Sequence, residues 1–213
     1  MLKVINYFSS LLRMIQPLQT EVVKANGHSG PIRARIGTSF KLVSFLPMGS
    51  HKRGTAIRSF SDVDYFAVVS RNDARWGDGY INSQTFLVKL RENLRGRFPS
   101  TNVSRSGQSV IVHFEQGNFA VDVVPSIFWE MRHSGIPIYL IPDGNGDYIE
   151  ACPYLQNRYI MSKNLLTGGK LKNIIQLFKF WKHNRSVDIL LCSFHLEILL
   201  ACNELCVGSK SIV

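Results

Sequence analysis

Residues 49–69 have the sequence GSHKRGTAIRSFSDVDYFAVV, which indicates the fold more clearly than any other stretch of the chain. The run Val63–Val69 is apolar, β-branched and aromatic, which is typical of a buried strand. Asp62 and Asp64 lie two residues apart, so a strand would direct both carboxylates to one face. Two such charges repel each other unless a cation lies between them, and a divalent metal ion is the usual solution. The stretch predicts a strand with a candidate metal site.

A third acid lies in a second apolar run. Asp122 is flanked by valines and an alanine in the predicted strand Phe119–Val124, where an unpaired charge would be expensive to bury. Three acids can hold two Mg²⁺ ions, which in nucleotidyl transfer activate the attacking hydroxyl and stabilise the pyrophosphate leaving group. An Asp-x-Asp motif by itself is weak evidence, because surface strands and turns contain it often.

The spacing upstream of the two acids strengthens the hypothesis. Gly49 would let the backbone approach a phosphate closely, and Ser50 offers a hydroxyl and an N–H as donors. Twelve positions separate Ser50 from Asp62. Gly-Ser also occurs in ordinary turns, so the spacing carries more weight than the pair.

The net charge of +10 is unevenly placed along the chain. Neither Val22–Ser61 nor Ala151–Val187 contains an acidic residue, and each contains seven lysines and arginines. Such segments suggest a polyanionic partner, either a nucleoside triphosphate or a nucleic acid. The alternative is a solvated basic surface without a partner.

Length and composition exclude other classes. With 213 residues, 45% of them apolar and only 19% charged, the chain is foldable and is not a disordered linker. Its longest apolar region, Ile189–Cys202, is too short for a bilayer, and the N-terminus offers no small-residue cleavage site. We therefore expect a cytoplasmic protein with no membrane association.

The hydrophobic pattern predicts a mixed α/β (α+β) fold with flanking helices. An opening amphipathic helix is expected over Leu2–Val23, broken at Gly27–Pro31. The other expected elements are a strand at Leu42–Leu46, a helix at Asn82–Arg97, short strands at Asn102–Ser104 and Val110–Phe114, and helices at Leu171–His183 and Ser193–Cys206.

A boundary is expected near residue 150, after the turn Pro142–Asp147. It divides the chain into a core with an N-terminal helix, 1–150, and a helical unit, 151–213. Three residues of these helices have a purely structural interpretation, which is an alternative to any role in binding. Lys179 would be an exposed surface lysine, Phe194 a core residue and Ser193 a helix N-cap.

Together, these segments resemble the nucleotidyltransferase superfamily related to DNA polymerase β. The closer resemblance is to its bacterial CD-NTases, cyclic-oligonucleotide synthases related to cyclic GMP-AMP synthase and oligoadenylate synthetase. It runs from about Phe45 to Leu200 and is carried by GSHKRGTAI (49–57), FSDVD (60–64), FAVDVVP (119–125), LKNIIQLFKFW (171–181) and SFHLE (193–197).

The resemblance implies roles for individual residues. Asp62, Asp64 and Asp122 would be the catalytic metal ligands, holding Mg²⁺ or, alternatively, Mn²⁺. The remaining matches would bind substrate: Gly49, Ser50 and Lys179 at the phosphates, Ser193 at the triphosphate and Phe194 stacked on the base.

The implied activity joins NTPs with release of pyrophosphate, making a cyclic or linear oligonucleotide second messenger in anti-phage defence. NTPs are then the partners, and nucleic acid is an optional one. Two alternatives stay open: a template-independent transferase acting on an RNA 3′ end or a protein hydroxyl, and a non-catalytic nucleotide binder. Family members continue beyond the last helix, so a shortened helical unit with intact metal ligands and weakened nucleotide affinity is expected.

Overall fold

The computed structural model describes residues 2–60, 62–114, 119–133, 135–186 and 189–203. Contacts divide the chain into two units that alternate along the sequence. The sheet unit comprises Gln19–Gly49 and Asp62–Tyr154, and the helical unit comprises Met1–Leu18, Ser50–Ser61 and Leu155–Val213. The helical unit thus includes two early segments, and the expected division at residue 150 stays a prediction.

The sheet unit holds three helices and nine strands among its described residues. The helices are α2 (Gln19–Ile36), α4 (Arg71–Ala74) and α5 (Ser83–Arg97). The strands are β1 (Leu42–Met48), β2 (Val63–Val69), β3 (Arg75–Trp76), β4 (Gly79–Tyr80), β5 (Asn102–Ser106), β6 (Ser109–Phe114), β7 (Phe119–Met131), β8 (Pro137–Pro142) and β9 (Tyr148–Ala151).

Seven of these strands form one mixed sheet in the order β1-β2-β7-β6-β5, with β8 paired to the far end of β7 and β9 paired to β8. Strands β2 and β7 run parallel, and the other neighbours in this sheet are antiparallel. Strands β3 and β4 form a separate hairpin. A mixed sheet with flanking helices confirms the expected fold class.

The two faces of β2 pack against different cores because successive side chains alternate across a strand. Val63, Tyr65 and the other odd-numbered residues lie in the main hydrophobic core with α2 and α5. Phe66 and Val68 lie in a smaller cluster on the opposite face, with Met48 and residues of β8. The alternation places Asp64 on that second face, away from the two helices.

The helical unit contains all of α1 (Leu2–Ile15), α7 (Lys170–His183) and α8 (Ser193–Cys202). It also contains α3 (Gly49–Arg53) from Ser50 onward and α6 (Pro153–Leu166) from Leu155 onward. One cluster joins α6, α7 and α8 around Ile175, and another joins α1 to Ile57 and α7. The helices expected near 171 and 193 are confirmed, while Cys206 lies outside the described residues. Within the described ranges, no helix has both the length and the apolar character needed to cross a membrane.

The expectation of one helix over Leu2–Val23, broken at Gly27–Pro31, is wrong in two respects. Helix α1 ends at Ile15, and α2 then continues through Gly27–Pro31. Ile32 and Ile36 lie four residues apart on α2 and are fully buried in the main core. This burial outweighs the helix propensity cost of about 1 kcal/mol for glycine and 3 kcal/mol for proline.

Candidate active site

Two of the three predicted metal ligands lie side by side at one end of the β2–β7 pair, and the third lies directly before β2. Asp64 on β2 and Asp122 on β7 are register partners in the parallel pairing. Neighbouring strands lie about 4.8 Å apart, so the two side chains leave the same face side by side. Asp62 is exposed and lies directly before β2, two residues upstream of Asp64.

Asp122 lies in a strongly unfavourable electrostatic environment. Burial, together with the smaller effect of the negative charges of Asp64 and Asp62, raises the pKa of its carboxyl to about 7. A hydrogen bond from Ser109 Oγ to Oδ2, at 3.3 Å, opposes the shift in part. The other oxygen, Oδ1, is buried and has no hydrogen-bond partner in the described part of the chain.

These residues fit a divalent cation by their chemistry. Carboxylate oxygens are the preferred ligands of Mg²⁺, and a cation would satisfy Asp122 Oδ1 while relieving the repulsion among the carboxylates. Among the described residues, no three Asp, Glu, His or Cys side chains are already gathered closely enough to hold an ion. The fit therefore rests on the donor set and on the unpartnered buried oxygen.

Gly49 makes room for one of these carboxylates. It follows β1, whose last residue, Met48, pairs with Asp64. Its φ of +64° lies in the left-handed region, which glycine adopts more readily than other residues. A Cβ at this position would lie 1.7 Å from Asp64 Oδ2. The predicted glycine is thus required by the position of the Asp64 carboxylate, besides any contact with phosphate.

The helical unit places Lys179 in its interior. The residue is only 2% exposed, so the alternative of a surface lysine is wrong. Its Nζ forms an ion pair with Glu197 and donates a hydrogen bond of 3.1 Å to the carbonyl of Thr55. Its role at the phosphates stays a prediction.

The group around Glu197 was not predicted from the sequence. This carboxylate accepts hydrogen bonds from Arg53 Nε at 2.7 Å and from Thr55 Oγ1 at 2.9 Å, in addition to its ion pair with Lys179. One signal was available: Glu197 is the single acid of the apolar helix α8. An acid in such a helix needs a buried cationic partner.

Ser50, Ser193 and Phe194 are half-buried in the helical unit. Ser50 lies in α3, where its carbonyl accepts from the Thr55 N–H at 2.9 Å. Ser193 and Phe194 begin α8, and the N-cap is Cys192, so the alternative of Ser193 as the cap is wrong. Their substrate contacts stay predictions.

We expect Asp122→Asn to stabilise the metal-free protein at pH 8. Because the folded pKa is raised to about 7, this group favours folding most below its unfolded pKa near 3.8, and that contribution is lost as the pH rises to about 7. At pH 8 the neutral amide avoids a penalty of up to about 4 kcal/mol, since each pKa unit corresponds to 1.36 kcal/mol.

Thermal unfolding in EDTA at pH 5 and pH 8 measures this effect. The gain of Asp122→Asn should be smaller at pH 5, and Mg²⁺ should raise the Tm of the wild type more than that of the variant. The exposed Asp78→Asn serves as the matched control. A variant that is less stable than the wild type at pH 8 without metal would contradict the expected repulsion.

A mixed sheet with Asp62 directly before β2, Asp64 on β2 and Asp122 on the neighbouring strand agrees with the acid-x-acid pair and later third acid of polymerase-β-like nucleotidyltransferases. The family model described as "Second Messenger Oligonucleotide or Dinucleotide Synthetase domain" matches residues 2–164. The chain belongs to this family, and the resemblance to the bacterial CD-NTases is confirmed.

Curated relatives agree with the family. The chain is 28% identical over 172 residues to the cyclic AMP-AMP-AMP synthase of Escherichia coli (strain MS 115-1), covering 76% of this chain and 50% of the relative. It is 28% identical over 184 residues to the cyclic dipyrimidine nucleotide synthase CdnE of Legionella pneumophila, covering 76% and 62%. The chain thus spans half the length of the first relative and somewhat more of the second.

Solved structures share the fold. The CD-NTase CdnG of Bradyrhizobium diazoefficiens in complex with GTP superposes with a TM-score of 0.72 at 15% identity, covering 92% of this chain and 69% of that chain. CdnC of E. coli MS115-1 with ATP gives a TM-score of 0.68 at 21% identity, covering 94% and 64%.

Proposed function

We propose that the protein is a nucleotidyltransferase that joins NTPs with release of pyrophosphate. Its product would be a cyclic or linear oligonucleotide that serves as a second messenger in antiviral, anti-phage defence. The observation that carries the proposal is the register pairing of Asp64 with Asp122 across parallel strands, with one buried oxygen of Asp122 that no described residue hydrogen-bonds. Such mutual repulsion between carboxylates is typical of sites that bind a cation.

The three aspartates would hold Mg²⁺, or alternatively Mn²⁺. When bound, the metal supplies positive charge that activates a ribose hydroxyl and stabilises the departing pyrophosphate. The chain's own contribution is to fix the carboxylates: β2 and β7 hold Asp64 and Asp122 in register, and Gly49 leaves the space that the Asp64 carboxylate occupies.

The charge of the helical unit supports a triphosphate substrate. Its described residues include twelve lysines and arginines and only one acid, Glu197. Glu197 is buried with two of these cations, Arg53 and Lys179, so it does not offset the ten basic residues outside this group. The basic residues are Lys3, Arg13, Lys52, Arg53, Arg58, Arg158, Lys163, Lys170, Lys172, Lys179, Lys182 and Arg185.

The relatives support the same reaction class. Two are named as synthases of cyclic nucleotides, one joining adenylates and the other pyrimidine nucleotides. We propose that this chain also acts on NTPs, with Lys179, Ser193 and Phe194 as substrate contacts. The relatives differ in the bases that they join. The proposal therefore names nucleoside triphosphates as substrates without naming the base.

Incubation of the purified chain with radiolabelled NTPs and Mg²⁺, with and without added RNA, tests the proposal. Labelled oligonucleotides should form without any acceptor. Strict dependence on added RNA, or label transferred to protein, would instead identify a transferase for RNA ends or protein hydroxyls. No labelled product under any condition would indicate a non-catalytic nucleotide binder.

A further inference from the structure

A short segment of the helical unit, Arg53–Ile57, is held by side chains from distant parts of the sequence. Gln176 Nε2 donates to the carbonyl of Ala56 at 2.9 Å, and Lys179 Nζ donates to the carbonyl of Thr55 at 3.1 Å. Both donors lie on α7, one turn apart, and both are at least 96% buried. The backbone of the segment is therefore fixed by α7 at two consecutive carbonyls.

The same segment is fixed from α8 by one carboxylate. Glu197 is 1% exposed and accepts from Arg53 Nε and from Thr55 Oγ1, while its Oε1 also pairs with Lys179. Arg53 reaches α6 as well, through Asn157 Oδ1 at 3.4 Å. The segment is thus linked to α7 and α8 through Glu197, and to α6 through Arg53.

The electrostatics of this group make Glu197 hard to replace. Burial alone would raise the pKa of its carboxyl, but the hydrogen bond from Arg53 and the charge of Lys179 outweigh burial, so the pKa lies below the ordinary value. Without the carboxylate, the guanidinium and the ammonium would be two like charges in a desolvated space. Removing one partner of such a buried group displaces the others, because an uncompensated buried charge is strongly unfavourable.

We propose that Glu197 is a positioning residue for nucleotide binding. It fixes the Lys179 ammonium and the segment that follows the Gly49-Ser50 pair, so that the basic groups of this unit are held in one arrangement before a triphosphate arrives. The inference rests on the proposed function only in taking an NTP as the ligand.

The first test separates substrate binding from turnover in Glu197→Gln. The amide keeps the shape and one acceptor but loses the charge that holds Arg53 and Lys179. Because hydrogen bonds to charged groups are among the stronger ones, we expect the KM for the NTP to rise about tenfold or more, with kcat within about twofold. Glu92→Gln, which removes an exposed carboxylate on α5, is the matched control and should change neither constant.

A purely structural role would give a different result. Fewer folded molecules would lower kcat per mole of chain and leave KM unchanged, and that outcome overturns the proposal. If Glu197→Gln does not fold, Thr55→Val carries the test, because it removes only the hydroxyl that donates to Glu197. It should raise KM by a smaller factor in the same direction, and an unchanged KM would contradict the proposal.

Two measurements without catalysis keep this inference separate from the proposed function. Titration calorimetry with non-hydrolysable analogues of ATP, GTP, CTP and UTP in Mg²⁺ should show weaker binding by Glu197→Gln, and amide hydrogen exchange across residues 53–57 should be faster. If the wild type binds an analogue but forms no product, only the proposed function is wrong. If the wild type forms product, and Glu197→Gln has the same analogue affinity and the same hydrogen-exchange rates, only the role of Glu197 is wrong.

Discussion

Replacing Asp64 with asparagine should reduce nucleotidyl transfer by about a thousandfold or more. The residue lies in register beside Asp122 and two positions after Asp62, so its loss removes the middle carboxylate of the proposed metal site. Metal-assisted charge stabilisation is worth several kcal/mol, and each 1.36 kcal/mol of barrier is a factor of about ten in rate. Pyrophosphate release under saturating NTP and Mg²⁺ measures the loss.

Asp78→Asn provides the control for this prediction. It makes the same chemical change at an exposed position in the β3–β4 hairpin, and its rate should equal that of the wild type. Both variants should unfold cooperatively. If Asp64→Asn kept a tenth of the wild-type rate in a folded protein, the assignment of this carboxylate to the metal site would be wrong.

Gly49→Ala should have the second largest effect on activity. The new methyl group would lie 1.7 Å from Asp64 Oδ2, so the carboxylate must move. A misplacement of about 1 Å at a reacting centre can reduce the rate about a hundredfold, and we expect a loss of at least that size in kcat. Steady-state pyrophosphate release, together with the Tm of the variant, measures it.

Gly77→Ala separates the clash from backbone strain. Gly77 has a similar φ, +60°, but a Cβ there meets nothing within 4 Å. Its substitution therefore carries the same left-handed strain of about 1 kcal/mol without displacing a carboxylate. Equal activity losses in the two variants would show that strain, and not the position of Asp64, accounts for the effect at Gly49.

The sequence was sufficient to predict β2, the first half of β7 and the acids at these strands, but it did not predict β3, β4, β8 or β9. Alternation along Val63–Val69 and the spacing of Asp62 and Asp64 are local features, and a period of two determines which side chains share a face. The pairing partner of β2 is not a local feature. Nothing within the run around Asp122 shows that it joins β2 in parallel, so its proximity to Asp64 required the structure or the family resemblance.

Longer-range contacts explain what the sequence did not predict. Arg53 and Glu197 are separated by 144 positions, and their hydrogen bond forms only once α8 packs against the early segment. Likewise, α2 continues through Gly27–Pro31 because Ile32 and Ile36 are buried by elements far along the chain. Local propensity was overridden in this helix by tertiary packing.

Lys179 shows how the structure changes the meaning of a prediction. The family resemblance points to a lysine that contacts phosphate, whereas in this structure its ammonium is buried against Glu197 and the Thr55 carbonyl. A lysine whose ammonium is fixed by Glu197 and the Thr55 carbonyl is compatible with a phosphate contact from that fixed position. The Glu197 variants therefore bear on Lys179 as well.

Mass spectrometry of the products formed from a mixture of ATP, GTP, CTP and UTP with Mg²⁺ tests the central claim most directly. The wild type should release pyrophosphate and form cyclic or linear oligonucleotides of two or more nucleotides, and Asp64→Asn should form none. Unchanged NTPs after incubation with folded wild-type protein, or equal product from the Asp64→Asn variant, would contradict it.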